Sequence, residues 1–352
     1  MKKHSVNLSG KKGAEVNGFI KKAIVFLCVP ILLSFTAGCP DSGKKESRRE
    51  NDVITPSSLI NSDLKKIRED VELLAMKTGV LYEQQDEIAA KSNKAAYKTA
   101  SNGVFYKPSN DGGSALFISG YVPINDDVAK AAYFTEPLDR EFKKICADYP
   151  ETVQVYYNDR NSLNRIYPWF DVLSQYQAKM NIPEFNFYYL ADQAHNPDRK
   201  GVWVKEPYID PAGRGWIVSA IAPVYYKNRL EGVCGIDITI DSITSRFLKK
   251  DPDVYAIFTG SGTLVSASDK AMSIMQMPPL NSPKYIEAVD KDLYMAETYN
   301  ITKSRQKNIR GLGTNLIVKK LQKTVFISRD VKYDVYSAKI LELDWFLVHF
   351  MP

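Results

Sequence analysis

The apolar positions of the chain are spaced as in a helix near the N-terminus and as in strands further along. Over residues 58–100, apolar side chains recur at intervals of three, four or seven, the spacing of one helix face. They are Ile60, Leu64, Ile67, Val71, Leu74, Leu81 and Ile88. Ser57 or Ser58 can cap the first turn. The pattern predicts one long amphipathic stalk helix that packs along an apolar surface; a free coiled coil is the second possibility.

Strand-like segments follow in two successive cycles, each bounded by glycine, proline or asparagine turns. The candidates of the first cycle, residues 101–250, are GSALFISGYV, ETVQVYYND, NFYYLAD, GVWVKEPYID, GWIVSAIAPVYY and LEGVCGIDITI. Those of the second cycle, residues 251–352, are the hairpin VYAIFTGSGTLVSAS and the strands TNLIVKKL, KTVFISRDV, YDVYSAKIL and WFLVHFM. Residues 126–147 predict a helix with a break near Pro137, and residues 283–292 predict another. We therefore expect an α+β fold, in which two modules with antiparallel sheets follow the stalk helix.

The N-terminal segment has the pattern of an export signal. Lysines precede the apolar run AIVFLCVPILLSFTA, which is shorter than a membrane span of about 20 residues. It ends in TAGC, which resembles a bacterial lipobox with Cys39 as the acylated residue. We expect residues 1–38 to be a lipoprotein signal peptide, Cys39 the lipidation site and residues 39–57 a flexible tether. An uncleaved signal anchor is the alternative, and either form places the protein outside the cytoplasm.

Positive charge is concentrated in the same segment. The whole chain has a formal charge of +6, and residues 1–38 carry +5 of it, which leaves +1 for the rest. A near-neutral body has no broad field to attract phosphate backbones. We therefore expect no nucleic-acid partner.

The sequence has none of the common catalytic motifs. It has no glycine-flanked serine elbow, no histidine spacing for a metal and no phosphate loop before a helix. We expect no enzyme activity, no cofactor and no metal. Cys146 and Cys234 are single and widely spaced, which favours two buried free thiols, although an oxidising compartment would permit a bridge.

The segment NRIYPWFD, residues 164–171, places aromatic side chains around a proline, with a charged residue near each end. Such side chains suit a wall that faces a small molecule, and they also suit an ordinary core turn. The residues alone leave both possibilities open.

Three stretches together resemble the double Cache family of extracytoplasmic sensor domains. They are RIYPWFD, then EPYIDPAGRGWIVSAIAPVY followed by LEGVCGIDITID, and LDWFLVHFMP. The resemblance covers residues 58–352 and implies a membrane-distal PAS-like module over 101–250 and a membrane-proximal one over 251–352. It also implies that the distal module binds a small molecule, often an amino acid, an amine or a carboxylate.

The resemblance implies roles for particular residues. Trp169 matches the pocket tryptophan of the family, and Asp210 matches its ammonium-binding aspartate. Tyr167 and Phe170 replace an arginine and a tyrosine of the amino-acid-binding members, so an amine is expected as much as an amino acid. The candidate ligand-binding residues are Arg165, Tyr167, Trp169, Tyr189, Asp192 and Asp210. Core packing, a surface ion pair or turn capping are their alternative roles, and we expect Asp237 to be structural.

These expectations describe a stand-alone bacterial lipoprotein, anchored to the periplasmic side of the inner membrane or to the outer membrane. Relatives of the family continue into a kinase, cyclase or chemotaxis module, and no such signalling module is recognisable in this sequence. We therefore expect a sensor module for a small molecule, which signals through a separate membrane-embedded partner. A solute-capture lipoprotein that delivers its ligand to a transporter or receptor is one alternative, and a non-binding structural interaction protein is the other.

Overall fold

The structure is a computed structural model that describes residues 40–247, 254–278 and 299–352. The predicted signal peptide, the predicted lipidation site Cys39 and the helix predicted at residues 283–292 lie outside the described residues.

Helices fill the start of the described chain and the connections between strands. We label them α1 Pro40–Glu83, α2 Gln85–Lys91, α3 Asp126–Phe134, α4 Leu138–Asp148, α5 Val172–Gln175, α6 Asn186–Tyr189, α7 Ile240–Phe247, α8 Asp269–Ile274 and α9 Lys307–Gly313. Short 3₁₀ turns at Lys94–Ala96 and Ile182–Glu184 and a π-helical turn at Thr314–Val318 complete them. The break near Pro137 lies where the sequence predicts it, between α3 and α4.

The strands form two antiparallel sheets. They are β1 Lys98–Thr99, β2 Phe105–Tyr106, β3 Ala115–Ile118, β4 Thr152–Asp159, β5 Leu163–Tyr167, β6 Val202–Ile209, β7 Trp216–Tyr226, β8 Arg229–Thr239, β9 Tyr255–Phe258, β10 Leu264–Ala267, β11 Lys323–Ser328, β12 Val331–Ile340 and β13 Trp345–Met351. The first sheet has the order β1-β2-β3-β5-β4-β8-β7-β6 and the second β10-β9-β13-β12-β11. One long helix with two antiparallel sheets confirms the predicted α+β class.

Helix α1 packs along both sheets through the apolar stripe that the sequence predicts. Its buried residues share one hydrophobic cluster with residues of the first sheet, such as Val218, and of the second, such as Leu347. The stripe residues buried in this cluster are Ile60, Leu64, Ile67, Val71 and Leu74. The stalk helix is therefore part of the core, and the free coiled coil is excluded.

The predicted bounds of the stalk helix are wrong at both ends. Helix α1 includes the residues predicted as a tether from Pro40 onward, because Val53 and Ser57 extend its buried face and Arg49 pairs with Asp334 on β12. At the other end the helix stops at Glu83, where the side-chain amide of Gln85 donates to the carbonyl of Tyr82. A side chain that enters the helical hydrogen-bond ladder is an ordinary cause of a break.

Pro56 lies inside α1 without breaking it. A proline has no N–H, so the carbonyl of Asp52, four residues earlier, loses its helical donor. The hydroxyl of Tyr255 on β9 donates to that carbonyl at 3.1 Å. The second sheet thus supplies the hydrogen bond that the helix lacks.

Replacing Tyr255 by phenylalanine is therefore expected to lower the free energy of unfolding by about 1 kcal/mol, because the carbonyl of Asp52 loses this donor. Urea unfolding measures the change. Tyr121→Phe is the control, since Tyr121 is exposed. Equal stability of Tyr255→Phe and the parent protein would show that solvent satisfies the carbonyl as well.

Two predicted strands are helical turns instead. NFYYLAD contains α6, and TNLIVKKL contains the π-helical turn, which directly follows the end of α9. Both are short apolar runs, which periodicity alone does not assign to helix or strand.

Cys146 and Cys234 are both free thiols, as expected. Cys234 is fully buried and lies 3.2 Å from the hydroxyl of Thr78 on α1, whereas Cys146 is half-buried. Burial raises the pKa of the Cys146 thiol to about 11. Neither thiol is therefore expected to react readily.

Candidate ligand-binding site

The two faces of the first sheet have different partners. One face packs against α1, α3 and α4. The other face packs against the connection between β5 and β6, which includes α5 and α6. The candidate site lies on this second face, between the sheet and that connection.

Strand alternation brings polar side chains together on this face, because residues two apart in a strand point to the same side. Gln154, Tyr156 and Asn158 of β4 do so, beside Asn164 and Ile166 of β5. The whole lining is Gln154, Tyr156, Asn158, Asn164, Ile166, Tyr176, Met180, Ile182, Phe187, Tyr208, Asp210, Pro211 and Asp237. The empty space between these residues is about 350 Å³, part of it open to solvent.

Gly235 on β8 sets the place of the Tyr156 ring. The two residues are cross-strand partners, and a Cβ atom at position 235 would lie 2.0 Å from the ring carbon that carries the hydroxyl. Any side chain there would displace the ring. The glycine therefore lets the tyrosine lie across β8 in the cavity.

Two buried carboxyl groups share one amide at the inner end of the cavity. The Nε2 atom of Gln154 donates to Asp210 at 3.1 Å and to Asp237 at 2.6 Å. Asp237 also accepts from the hydroxyl of Ser219 at 2.5 Å, and that hydroxyl lies 2.5 Å from the hydroxyl of Tyr208. Both acids are almost fully buried, so their positions are fixed by this network.

The pKa values of both acids are raised. Burial raises the pKa of Asp210, against hydrogen bonds from the backbone N–H of Ala212, from Gln154 and from the backbone N–H of Arg214. Burial, and then the charge of Asp210, raises the pKa of Asp237 to about 8. The pair therefore resists carrying two negative charges at once.

Acceptors outnumber cations around this pair. Within the described part of the chain, the lining residues include two carboxylic acids and no basic side chain. Arg214 lies nearby, but its guanidinium donates to the carbonyl of Val153 and lies 5.9 Å from the Phe170 ring. The Oε1 atom of Gln154 is buried and accepts no hydrogen bond from any residue that the structure describes. The site is arranged to receive a cationic donor.

A second cleft adjoins the cavity on its outer side. The two share Tyr176, Met180, Tyr208 and Pro211. Tyr189 lines only the outer cleft, and it is 37% exposed. Of the six predicted ligand-binding residues, the structure thus places Asp210 in the cavity and Tyr189 near its opening.

Arg165 lies on the opposite face of the first sheet, so its predicted contact with a ligand is wrong. Its guanidinium is fully buried and donates to the hydroxyl groups of Thr135, Ser114 and Tyr97. It also donates to the carbonyl of Ala132 at 2.5 Å. Its neighbours Asn164 and Ile166 line the cavity, and alternation turns Arg165 away from it.

The remaining predicted residues lie outside the cavity lining. Tyr167 packs with the cluster on the helix-covered face, two residues after Arg165. Trp169 follows the cis peptide bond between Tyr167 and Pro168 and packs with the cavity-side cluster. Its buried Nε1 atom has no hydrogen-bond partner among the described residues. Asp192 accepts from the backbone N–H groups of Ala194 and His195, which is the turn-capping role.

Sequence reasoning missed most of the polar lining. Asp237 was expected to be structural, yet it is half of the acid pair. One signal was available, since Gln154 and Asn158 alternate with Val155 and Tyr157 in a strand whose middle residues are otherwise apolar or aromatic. Polar residues at every second position of a buried strand indicate a polar cavity.

Among the described residues, no group of acidic, histidine or cysteine side chains has the arrangement of a metal site. Within the same ranges, no helix combines the length and the apolar composition that crossing a membrane requires.

Comparison with known proteins gives likeness in structure only. No family model and no curated protein matches the sequence. The ligand-binding domain of the Pseudomonas aeruginosa PAO1 amino acid chemoreceptor PctC, in complex with GABA, is 13% identical with a TM-score of 0.48, over 88% of this chain and 100% of that one. The sensory domain of the Campylobacter jejuni chemoreceptor Tlp3, with isoleucine bound, is 10% identical with a TM-score of 0.47, over 88% and 96%. The extracellular domain of the histidine kinase soHK1S-Z6 is 14% identical with a TM-score of 0.40, over 83% and 95%.

Proposed function

We propose that this protein is an extracytoplasmic, lipid-anchored sensor module that binds a small organic amine between the first sheet and the β5–β6 connection. The observation that carries the proposal is the buried pair of Asp210 and Asp237, joined by Gln154, in a cavity whose described lining has no basic side chain. Occupancy of the cavity would be passed by contact to a separate membrane partner. The export signal at residues 1–38 and acylation at Cys39 are parts of the same proposal and rest on the N-terminal sequence.

An ammonium group fits the acceptors that the cavity offers. It has three donor hydrogens, and the cavity presents Asp210, Asp237 and the unpaired Oε1 atom of Gln154. A hydrogen bond between charged partners is stronger than one between neutral partners. Tyr156 and Phe187 add aromatic rings, which also attract cations. The remaining lining is apolar enough to hold a short carbon chain.

The carboxylate of an amino acid finds a weaker partner here. A carboxylate binds best to a guanidinium, which offers two parallel donors. The one arginine of β5, Arg165, faces the helices. The donors that the described lining residues offer to a carboxylate are therefore hydroxyl and amide groups, such as those of Tyr176 and Asn164. A simple amine is therefore the preferred class, and an amino acid is second.

The first test is a thermal-shift screen of the purified full chain with amines, amino acids and small carboxylates. A ligand that binds only the folded state and is present at 100 times its Kd stabilises by about 2.7 kcal/mol. We expect amines to raise the Tm and simple carboxylates to leave it unchanged. A screen in which carboxylates act and amines do not would reject the proposal.

Replacing Asp210 by asparagine is expected to weaken amine binding by roughly 10- to 100-fold, because a charge-assisted hydrogen bond is lost. The amide oxygen can still accept from the backbone N–H of Ala212, so the turn should persist. Isothermal titration with the amine found in the screen measures the change. Asp192→Asn is the matched control, since Asp192 caps a comparable turn outside the cavity. Equal affinities of the two variants would remove Asp210 from the site.

A further inference from the structure

The edge of the second sheet exposes aliphatic side chains in a regular pattern. Strand β11 is an edge strand of that sheet. Val325 is 48% exposed and Ile327 58% exposed, while Phe326 between them is buried. Lys332 is the cross-strand partner of Ile327 and is exposed. We refer to Lys323, Val325, Ile327 and Lys332 as the hairpin face, because all four point to the same side of β11 and β12.

The hairpin face lies in a basic part of the described chain. Residues 318–341 contain six lysines and arginines against two aspartates, whereas residues 39–352 together carry only +1. Lys319 and Lys320 are exposed directly before β11, and Arg329 is exposed at its far end. Val318 and Leu321 flank the two lysines and are exposed as well. Aliphatic and basic side chains are therefore interleaved along one edge.

We propose that this edge is a docking surface for an anionic lipid membrane. Interleaved basic and aliphatic side chains match the interface of such a bilayer, where cations pair with phosphates and aliphatic groups enter the headgroup region. A protein partner with an apolar surface would not explain the excess of positive charge. A nucleic acid would not explain the exposed valine and isoleucine.

The N-terminal part of α1 contacts this surface through Arg49, and the step from that contact to the bilayer rests on the proposed lipid anchor. Asp334 is the cross-strand partner of Val325, and Arg49 of α1 pairs with Asp334 at 3.0 Å. Cys39 is ten residues before Arg49. Ten residues reach at most about 35 Å even when fully extended. A lipid on Cys39 would therefore hold the hairpin face close to the bilayer, and the face would orient the protein on it.

The test uses the full chain reconstituted into vesicles of phosphatidylcholine alone or with phosphatidylglycerol. Hydrogen–deuterium exchange of peptides from residues 318–332 is the measurement. We expect exchange to slow several-fold on the anionic vesicles only, and the protection to disappear at high salt because exposed charges are screened. Ile327→Asp and, separately, Lys320→Glu with Lys332→Glu should remove the protection.

Met76→Asp is the matched control, since Met76 is an exposed apolar residue on α1, 70% exposed and outside the hairpin face. It should keep the protection. Equal exchange on both vesicles would overturn the proposal. So would protection that follows protein concentration rather than lipid charge, which would indicate strand pairing between copies. Amine binding by the Ile327→Asp variant should be unchanged, so failure here and failure of the proposed function are separate results.

Discussion

Replacing Arg165 by alanine is expected to lower the free energy of unfolding by about 3–5 kcal/mol, the cost of breaking a buried ionic network on one side. The guanidinium is fully buried between β5 and helices α3 and α4. Its removal would take one hydrogen-bond donor from the carbonyl of Ala132 and one from the carboxylate of Asp139. Urea unfolding measures the change.

Arg140→Ala is the control for this prediction, because Arg140 is an adjacent arginine whose side chain is 89% exposed. Its loss should change stability by no more than about 0.5 kcal/mol. The Arg165→Ala protein that remains folded should bind the amine as the parent does, since the guanidinium faces away from the cavity. If Arg165→Ala binds the amine more weakly but is as stable as the parent, the structure is contradicted and Arg165 contacts the ligand after all.

Arg165 also shows where sequence reasoning ends. Leu163, Asn164, Arg165 and Ile166 are all buried, so β5 has no solvent face from which alternation could be oriented. In a strand buried on both sides, the sequence shows that side chains alternate. It does not show which alternating set faces the helices and which faces the cavity. That choice depends on the pairing of β5 between β3 and β4.

The large features were easier to predict, because they rest on long periodic patterns. The stripe of α1 extends over many turns, and most of the strand segments contain strands where the alternation predicts them. Short apolar runs such as NFYYLAD were not decided by their pattern. The start of α1 was not predicted either, because it depends on a contact between two side chains, Arg49 and Asp334, that lie far apart in sequence.

The acid pair divides in the same way. Asp210 could be predicted because a local turn and a family resemblance both point to it, and the structure shows that it accepts from Ala212 and Arg214 in that turn while lining the cavity. Asp237 could not, because its place depends on the register of three strands. Its cross-strand partners are Gln154 on β4 and Ser219 on β7, and both donate to it.

Replacing Asp237 by asparagine is expected to remove a pH dependence of stability that spans several units. Burial raises the pKa of Asp237 to about 8 from an ordinary value of 3.8. The folded state therefore holds its proton over a range in which the unfolded state has released it. The contribution of Asp237 to the free energy of unfolding should therefore be greatest below about pH 4. It should fall as the pH rises toward about 8, by up to about 1.4 kcal/mol per pH unit. The amide of the variant does not titrate, so its stability relative to the parent should rise across the same range.

Urea unfolding at a series of pH values compares the two proteins. Asp241→Asn is the matched control, since Asp241 is exposed in the first turn of α7 and its loss should leave the parent profile unchanged. Parallel profiles for Asp237→Asn and the parent would mean that the carboxyl group is ionised in the folded state throughout.

The same proton links stability to ligand binding. An ammonium group beside Asp237 favours the carboxylate, so amine binding should lower the pKa of this group and release part of a proton near neutral pH. Calorimetry in buffers of different ionisation enthalpy measures that release. Asp210→Asn removes the neighbouring negative charge, which contributes to the raised pKa of Asp237, so this variant should release less. If Asp237→Asn releases as much proton as the parent, the proton comes from another group. The acid pair would then not respond to amine binding.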